Sequence, residues 1–152
     1  MRARQAPQKN GGQAEQALGR SRGGFSTKIH ITVDGLGYPL RLRLSAGQRH
    51  DILQAYDLIV DLEFDFVLAD RGYGASDFRD EIIATGAEPV IPPNKNAKEP
   101  HAYDAWRYRE RYLIECFIGK IKHFRRVFSR FDKLARRYLG FLQFVSTLIW
   151  LR

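Results

Sequence analysis

Cysteine is almost absent from the chain. Its 152 residues include one, Cys116, so no internal disulfide can form and a disulfide-stapled secreted scaffold is excluded. A reducing compartment suits such a composition. Long hydrophobic runs are lacking as well. No stretch of about 18 apolar residues is present, and the greasiest segment, Tyr138 to Leu151, is interrupted by Gly140, Gln143, Ser146 and Thr147. This argues against a membrane span or a membrane partner. The first 24 residues hold almost no large apolar side chains, so the central apolar stretch of a secretory signal is missing from them. Acid is scarce at the front: Glu15 is the only carboxylate before Asp34. The four histidines, His30, His50, His101 and His123, are scattered and offer no zinc-ligand spacing.

An apolar share of 44%, with 12% aromatic residues, is enough for a packed core and excludes a wholly disordered chain. The length suits one domain or part of one. Lys and Arg number 25 against 17 Asp and Glu, a net charge of +8. The isoelectric point near 9.9 points to a polyanionic partner, nucleic acid before membrane. Placement of the charge says more than its sum. Residues 1–50 carry a net +7, residues 51–100 carry −7 and residues 101–152 carry +8. A histone-like protein would be basic throughout. An acidic centre between basic flanks suits a protein that grips phosphates and also holds carboxylates for metal or acid–base work. Most of the acids from Asp51 to Glu63 read more simply as a solvated helix face.

Residues 1–24 read as a flexible basic arm, and residues 25–152 as the folded part. Phe25 to Val33 alternates apolar and polar residues and predicts a strand. Asp34-Gly35-Leu36-Gly37 predicts a turn, and Tyr38 to Leu44 a second strand of a hairpin. A helix is expected over Asp51 to Leu62, with Ile52, Ala55, Tyr56 and Ile59 on one face. A strand follows over Phe64 to Ala69, a helix over Asp77 to Thr85 and a strand over Glu88 to Ile91. Two helices close the chain, a long amphipathic one from about Asp104 to Phe128 and an apolar one from about Leu134 to Leu151. The order is that of an α/β fold. Trp106 and Trp150 read as core anchors, Cys116 as a small packed residue, and His50 as a loop or cap residue.

Two places carry chemistry. Asp70 stands just past an apolar strand and is followed by Arg71-Gly72-Tyr73-Gly74. Sites in open α/β sheets form at the carboxyl ends of strands, and glycine lets the backbone approach a ligand. An Asp in that position can equally be a turn former. The second place is the long helix. Tyr108, Arg111, Glu115 and Lys122 fall on a stripe about 60° wide at 100° per residue. Arg125 and Arg126 share that stripe, while Ile114, Phe117, Ile118, Ile121, Phe124 and Phe128 form another face. The plain alternative is a solvated pair, Arg111 with Glu115 at i, i+4. That pair leaves unexplained why all four residues share a stripe free of other acids.

Tyr108-x2-Arg111-x3-Glu115-x6-Lys122 resembles the Y-R-E-K signature of bacterial insertion-sequence transposases, in the DDE branch of insertion sequences four and five. Gly19 to Lys28, Gly47-Gln-Arg-His-Asp51, Leu68-Ala-Asp-Arg-Gly-Tyr-Gly74 and Ile91-Pro-Pro93 resemble recurring blocks of the same group, in order, so the likeness runs from about residue 19 to Arg152. The resemblance implies a ribonuclease-H-like DDE core and DNA transposition by metal-dependent strand cleavage and strand transfer. It also implies a bacterial, cytoplasmic, nucleoid-associated setting. By motif, Asp70 is the second catalytic and metal-binding carboxylate and Glu115 the third. Two Mg²⁺ or Mn²⁺ ions are implied, as hard cations that take oxygen ligands. Tyr108, Arg111 and Lys122 are then DNA contacts near the transposon end. Charge and phase add Arg71, Arg125 and Arg126, and a DNA-facing loop from Arg20 to Lys28 adds Arg20, Arg22 and Lys28. The implied partners are terminal inverted repeats, target DNA and further copies of the protein in a transposition complex.

The first carboxylate of such a site lies on the first, central strand, shortly before a segment resembling Arg2-Ala-Arg-Gln5. No Asp precedes Asp34, and Asp34 reads as a turn residue. The expectation is therefore an N-terminally truncated core without its first central strand, inactive or incomplete alone. A decayed remnant and the second frame of a frameshift-fused transposase are both open. So are a non-catalytic DNA-binding protein and a general ribonuclease-H-like nuclease.

Overall fold

The structure, a computed structural model, describes Gly12 and residues 15–21 and 24–152. Most of the expected basic arm, with Arg22, lies outside the described residues. The part that is described is not all arm. Gly19–Ser21 forms a strand, β1, which pairs antiparallel with the start of β2, Gly24–Val33. Ala17 beside it is buried, its carbonyl accepting from the Thr27 hydroxyl at 2.7 Å. That anchoring draws the segment onto the sheet.

β2 continues into β3, Pro39–Ala46, as the expected hairpin. Asp34 builds the turn: its Oδ1 accepts from the Leu36 and Tyr38 backbone N–H groups at 2.9 and 2.8 Å. Gly37 completes it at φ +83°, where only glycine is unstrained. Period-two alternation then sorts the hairpin into two faces. Ile29, Ile31 and Val33 of β2 and Leu42 and Leu44 of β3 join one core with Phe117, Ile121, Tyr138, Leu142, Val145 and Ile149. The opposite face carries Lys28, His30 and Thr32 with Arg41, Arg43 and Ser45. It is covered in its turn: Thr32 Oγ1 donates to the Leu58 carbonyl at 3.0 Å, and Arg41 Nη1 to the Asp57 and Val60 carbonyls.

The helix expected over Asp51 to Leu62 is shorter and in two pieces, a 3-10 turn over Asp51–Gln54 and then α1, Ala55–Ile59. Asp61 has φ +57°, which reverses the chain. β4, Phe66–Leu68, and β5, Glu88–Val90, pair in parallel and flank α2, Ser76–Ala84. Ala55, Phe78, Ile82, Ala87 and Ile91 form a second core around this unit.

The long helix from Asp104 to Phe128 is not continuous. Asp104 Oδ1 accepts from the Trp106 and Arg107 amides at 2.9 Å, starting a 3-10 turn over Arg107–Arg111. Then follow α3, Tyr112–Lys122, and α4, Arg125–Phe128. Phe124, at ψ +70°, interrupts the helix between them. On either side of the break, Phe124 and Val127 both pack on the first core. α5, Ala135–Trp150, forms where the apolar helix was expected, and it packs on β3.

Three smaller expectations fail. Trp106 is 69% exposed and Trp150 50% exposed, so neither is a core anchor. Trp150 instead caps an edge, stacking on Tyr38 and donating to the Pro39 carbonyl at 3.2 Å. Cys116 is exposed, because the buried face of α3 is the one bearing Phe117 and Ile121.

Candidate active site

Asp70 stands at the carboxyl end of β4, as the strand pattern predicted. Its Oδ1 accepts from the Gly72 amide at 2.8 Å and so caps a 3-10 turn over Arg71–Tyr73. A second carboxylate shares the spot. A Cβ built on Gly72 would lie 3.0 Å from Asp70 Oδ1 and 3.2 Å from Asp51 Oδ2. Glycine at position 72 is what lets the two acids approach one backbone point. Asp51 is held by Lys28, whose ammonium donates to Asp51 Oδ1 and to the Arg49 carbonyl, each at 2.8 Å.

Beneath the turn lies a buried polar chain. His30 is 3% exposed and Ser45 4% exposed. His30 Nδ1 meets the Tyr73 hydroxyl at 2.9 Å, and Nε2 meets Ser45 Oγ at 2.8 Å. A neutral imidazole supplies one donor and one acceptor, and hydroxyls play either part, so every member is satisfied. Burial holds the His30 pKa below its ordinary value, with Asp51 raising it and Lys28 lowering it by smaller amounts. The Tyr73 hydroxyl is pushed well up, first by burial and then by the negative charge of Asp51 and Asp70.

Glu115 lies on α3, with its side chain 60% exposed, and forms an ion pair with Arg111. Tyr108 packs edge-on to Tyr103, and the Arg111 guanidinium lies 5.7 Å from its ring centre. These three residues therefore do cluster. The 3-10 turn and the break at Phe124 divide the predicted stripe, however: Tyr108 and Arg111 precede α3, and Arg125 follows the break. Lys122 and Arg125 are exposed, as are Arg71 and Arg20, the latter 5.9 Å from the Phe25 ring centre. Arg22 and the side chain of Arg126 lie outside the described residues. In the sequence Asp51 reads as a helix-face acid and His30 carries no signal, whereas the fold brings Asp51 beside Gly72 and buries His30. His30 lies on the polar face of an alternating strand, and nothing local signals that α1 and the Asp70 turn bury that face.

A profile of the transposase DDE domain matches residues 2–148 of the chain. The chain belongs to the DDE transposase family. A protein from Brucella ovis named as a transposase for insertion sequence element IS6501 is 36% identical over 131 residues, covering 84% of this chain and 100% of the relative. A protein from Burkholderia cepacia named as a transposase for IS402 is 30% identical over 135 residues, covering 81% of this chain but 62% of the relative. The chain thus spans the whole of one relative and less than two thirds of the other. No solved structure matches it significantly. The mixed α/β architecture fits the ribonuclease-H-like fold of DDE transposases, and the family's work is DNA transposition by nuclease and transfer chemistry. Among the described residues no helix is long and apolar enough to cross a membrane.

DDE enzymes generally depend on divalent metal, and carboxylate oxygens at a strand end are the donors such ions take. Among the described residues, though, no group of three or more His, Cys, Asp or Glu side chains is arranged to hold a metal ion.

Proposed function

We propose that the chain is the part of an insertion-sequence transposase core that contributes Asp70 and Glu115 to a metal-dependent site for DNA strand cleavage and transfer. The first carboxylate comes from a further strand that completes the sheet. The observation that carries this reading is the edge of β2 that has no strand neighbour among the described residues over most of its length. The strand order β1-β2-β3 leaves β2 paired on one side to β3, but on the other only over Gly24–Ser26, to β1. The backbone from Thr27 to Val33 has no strand neighbour on that side among the described residues. Among the described residues β4 likewise pairs with β5 alone. Unpaired edges of this kind accept a strand readily. An open groove of about 550 Å³, lined by Ile29 and Ile31 of β2 and Ile118 and Ile121 of α3, offers apolar surface to the incoming segment.

Within such a site Asp70 and Glu115 would hold Mg²⁺ or Mn²⁺, which supplies Lewis-acid stabilisation and an activated oxygen nucleophile. The basic side chains Tyr108's neighbour Arg111, Lys122, Arg125, Arg126 and Arg71, with Arg20, Arg22 and Lys28, would hold phosphates near the transposon end. Their contribution falls as salt rises. Terminal inverted repeats and target DNA are the substrates, and self-association belongs to the same reading.

The test has two parts. The DNA upstream of the first codon is read for a frame encoding an Asp-bearing strand, and that segment is co-expressed with the chain. Metal-dependent cleavage of terminal-repeat DNA is expected only with both parts present, and is lost in Asp70→Asn and Glu115→Gln. Efficient cleavage by the chain alone would refute the need for completion. DNA affinity that metal does not change, with no metal-supported cleavage even when both parts are present, would favour a binding remnant.

A further inference from the structure

We infer that His30 and Tyr73 are positioning residues that fix the Asp70 carboxylate, acting through the turn that bears it. The inference rests on the reading of Asp70 as a metal-holding residue. The turn is only three residues long, and its own bonds are few: Asp70 Oδ1 from the Gly72 amide, the Asp70 carbonyl from the Tyr73 amide at 3.0 Å, and the Arg71 carbonyl from the Gly74 amide at 3.1 Å. Short 3-10 turns of this kind do not hold themselves rigid. The hydroxyl of Tyr73, at the end of the turn, reaches His30 Nδ1 at 2.9 Å. His30 is in turn held on several sides. It sits mid-strand opposite Arg43 in a ten-residue β2, is 3% exposed, and is held at its other nitrogen by Ser45 Oγ at 2.8 Å. The turn is thus tied through Tyr73 to a ten-residue strand. Asp51, clamped by Lys28, closes over Gly72 from the other side.

A buried, satisfied histidine could serve stability alone, so the test needs a readout that stability does not move. The Gly72 amide supplies one, since it donates directly to Asp70. The full chain is labelled with ¹⁵N, and two quantities are followed at Gly72: amide exchange, and broadening by added Mn²⁺. Tyr73→Phe keeps the ring and removes only the hydroxyl. It is expected to speed Gly72 exchange roughly five- to tenfold, the effect of losing one hydrogen bond, and to raise the Mn²⁺ concentration needed for half-broadening. His30→Ala is expected to do the same. His30→Asn places an amide where Nδ1 stood and is expected to restore both readouts toward wild type. This pair carries the test should Tyr73→Phe fail to fold.

Folded Tyr73→Phe or His30→Ala with wild-type exchange and Mn²⁺ response overturns the inference, as does His30→Asn behaving like His30→Ala. Mn²⁺ broadening as strong in Asp70→Asn as in the wild type, or absent from the wild type even with the completing segment present, overturns the metal-holding reading of Asp70 instead. The exchange data then still decide whether His30 and Tyr73 fix the turn.

Discussion

The Arg107 guanidinium lies 3.5 Å from the centre of the Phe66 ring. This contact joins the 3-10 turn that leads into α3 to β4, the strand that delivers Asp70. It ties the Asp70 strand to the turn that carries Tyr108 and Arg111. Asp104 prepares it by capping the Arg107 amide and lying 3.5 Å from Arg107 Nε. A partly exposed cation–π contact stabilises by about 1 kcal/mol. Arg107→Ala is therefore expected to lower stability by about that much, read from the urea midpoint. Arg107→Lys recovers little, because an ammonium has no flat face to lay on the ring.

Much of the frame was legible before the structure. The hairpin followed from alternation over Phe25 to Val33 and from Asp34-Gly35, whose side chain and flexibility build the turn locally. α5 and the placement of Asp70 at a strand end followed from similarly local signals. What was illegible depends on contacts distant in sequence. The break at Phe124 serves a core assembled from β2, β3 and α5. The burial of His30 depends on a turn 43 residues away. Asp51 meets Gly72 because two loops converge. No periodicity in any single segment encodes those meetings.

Stability should depend on pH through His30. Its folded-state pKa is lowered, chiefly by burial. At pH above the ordinary value the ring is neutral in both states and contributes no slope. As pH falls through about 6.5 the unfolded chain takes the proton first, so stability declines until the folded-state pKa is reached. The slope attributable to one such group cannot exceed about 1.4 kcal/mol per pH unit. Urea midpoints between pH 8 and pH 5.5 are expected to fall, and His30→Asn is expected to flatten the fall. A flat wild-type profile would contradict a buried neutral His30.

Gly72→Ala separates stability from site geometry in another way. The added Cβ would meet Asp70 Oδ1 at 3.0 Å and Asp51 Oδ2 at 3.2 Å. Both are ends of exposed or half-exposed side chains that can give by a few tenths of an ångström. The cost to folding is therefore expected to stay under about 1 kcal/mol, seen as a small shift in thermal midpoint. The Asp70 carboxylate, however, is displaced from its capping position. Mn²⁺ broadening of the Arg71 and Tyr73 amides is expected to weaken clearly. Unchanged broadening would show that the site tolerates the displacement.

Glu115 offers the sharpest distinction between structure and chemistry. As one end of an i, i+4 ion pair with Arg111, and with its side chain 60% exposed, it contributes little to folding. Screening by solvent limits such pairs to about 0.5 kcal/mol. Glu115→Gln and Arg111→Ala should therefore shift the urea midpoint only slightly, and by similar amounts. If the pair is merely a solvated contact, neither change matters further. In the proposed site the two diverge. Arg111→Ala weakens binding to terminal-repeat DNA and lowers the salt dependence of that binding, as loss of one phosphate contact would. Glu115→Gln leaves metal-free DNA affinity unreduced, because it removes a negative charge from a phosphate-facing surface, yet abolishes metal-supported cleavage by the completed protein. Binding isotherms across a salt series, paired with cleavage assays, read both effects on the same two variants.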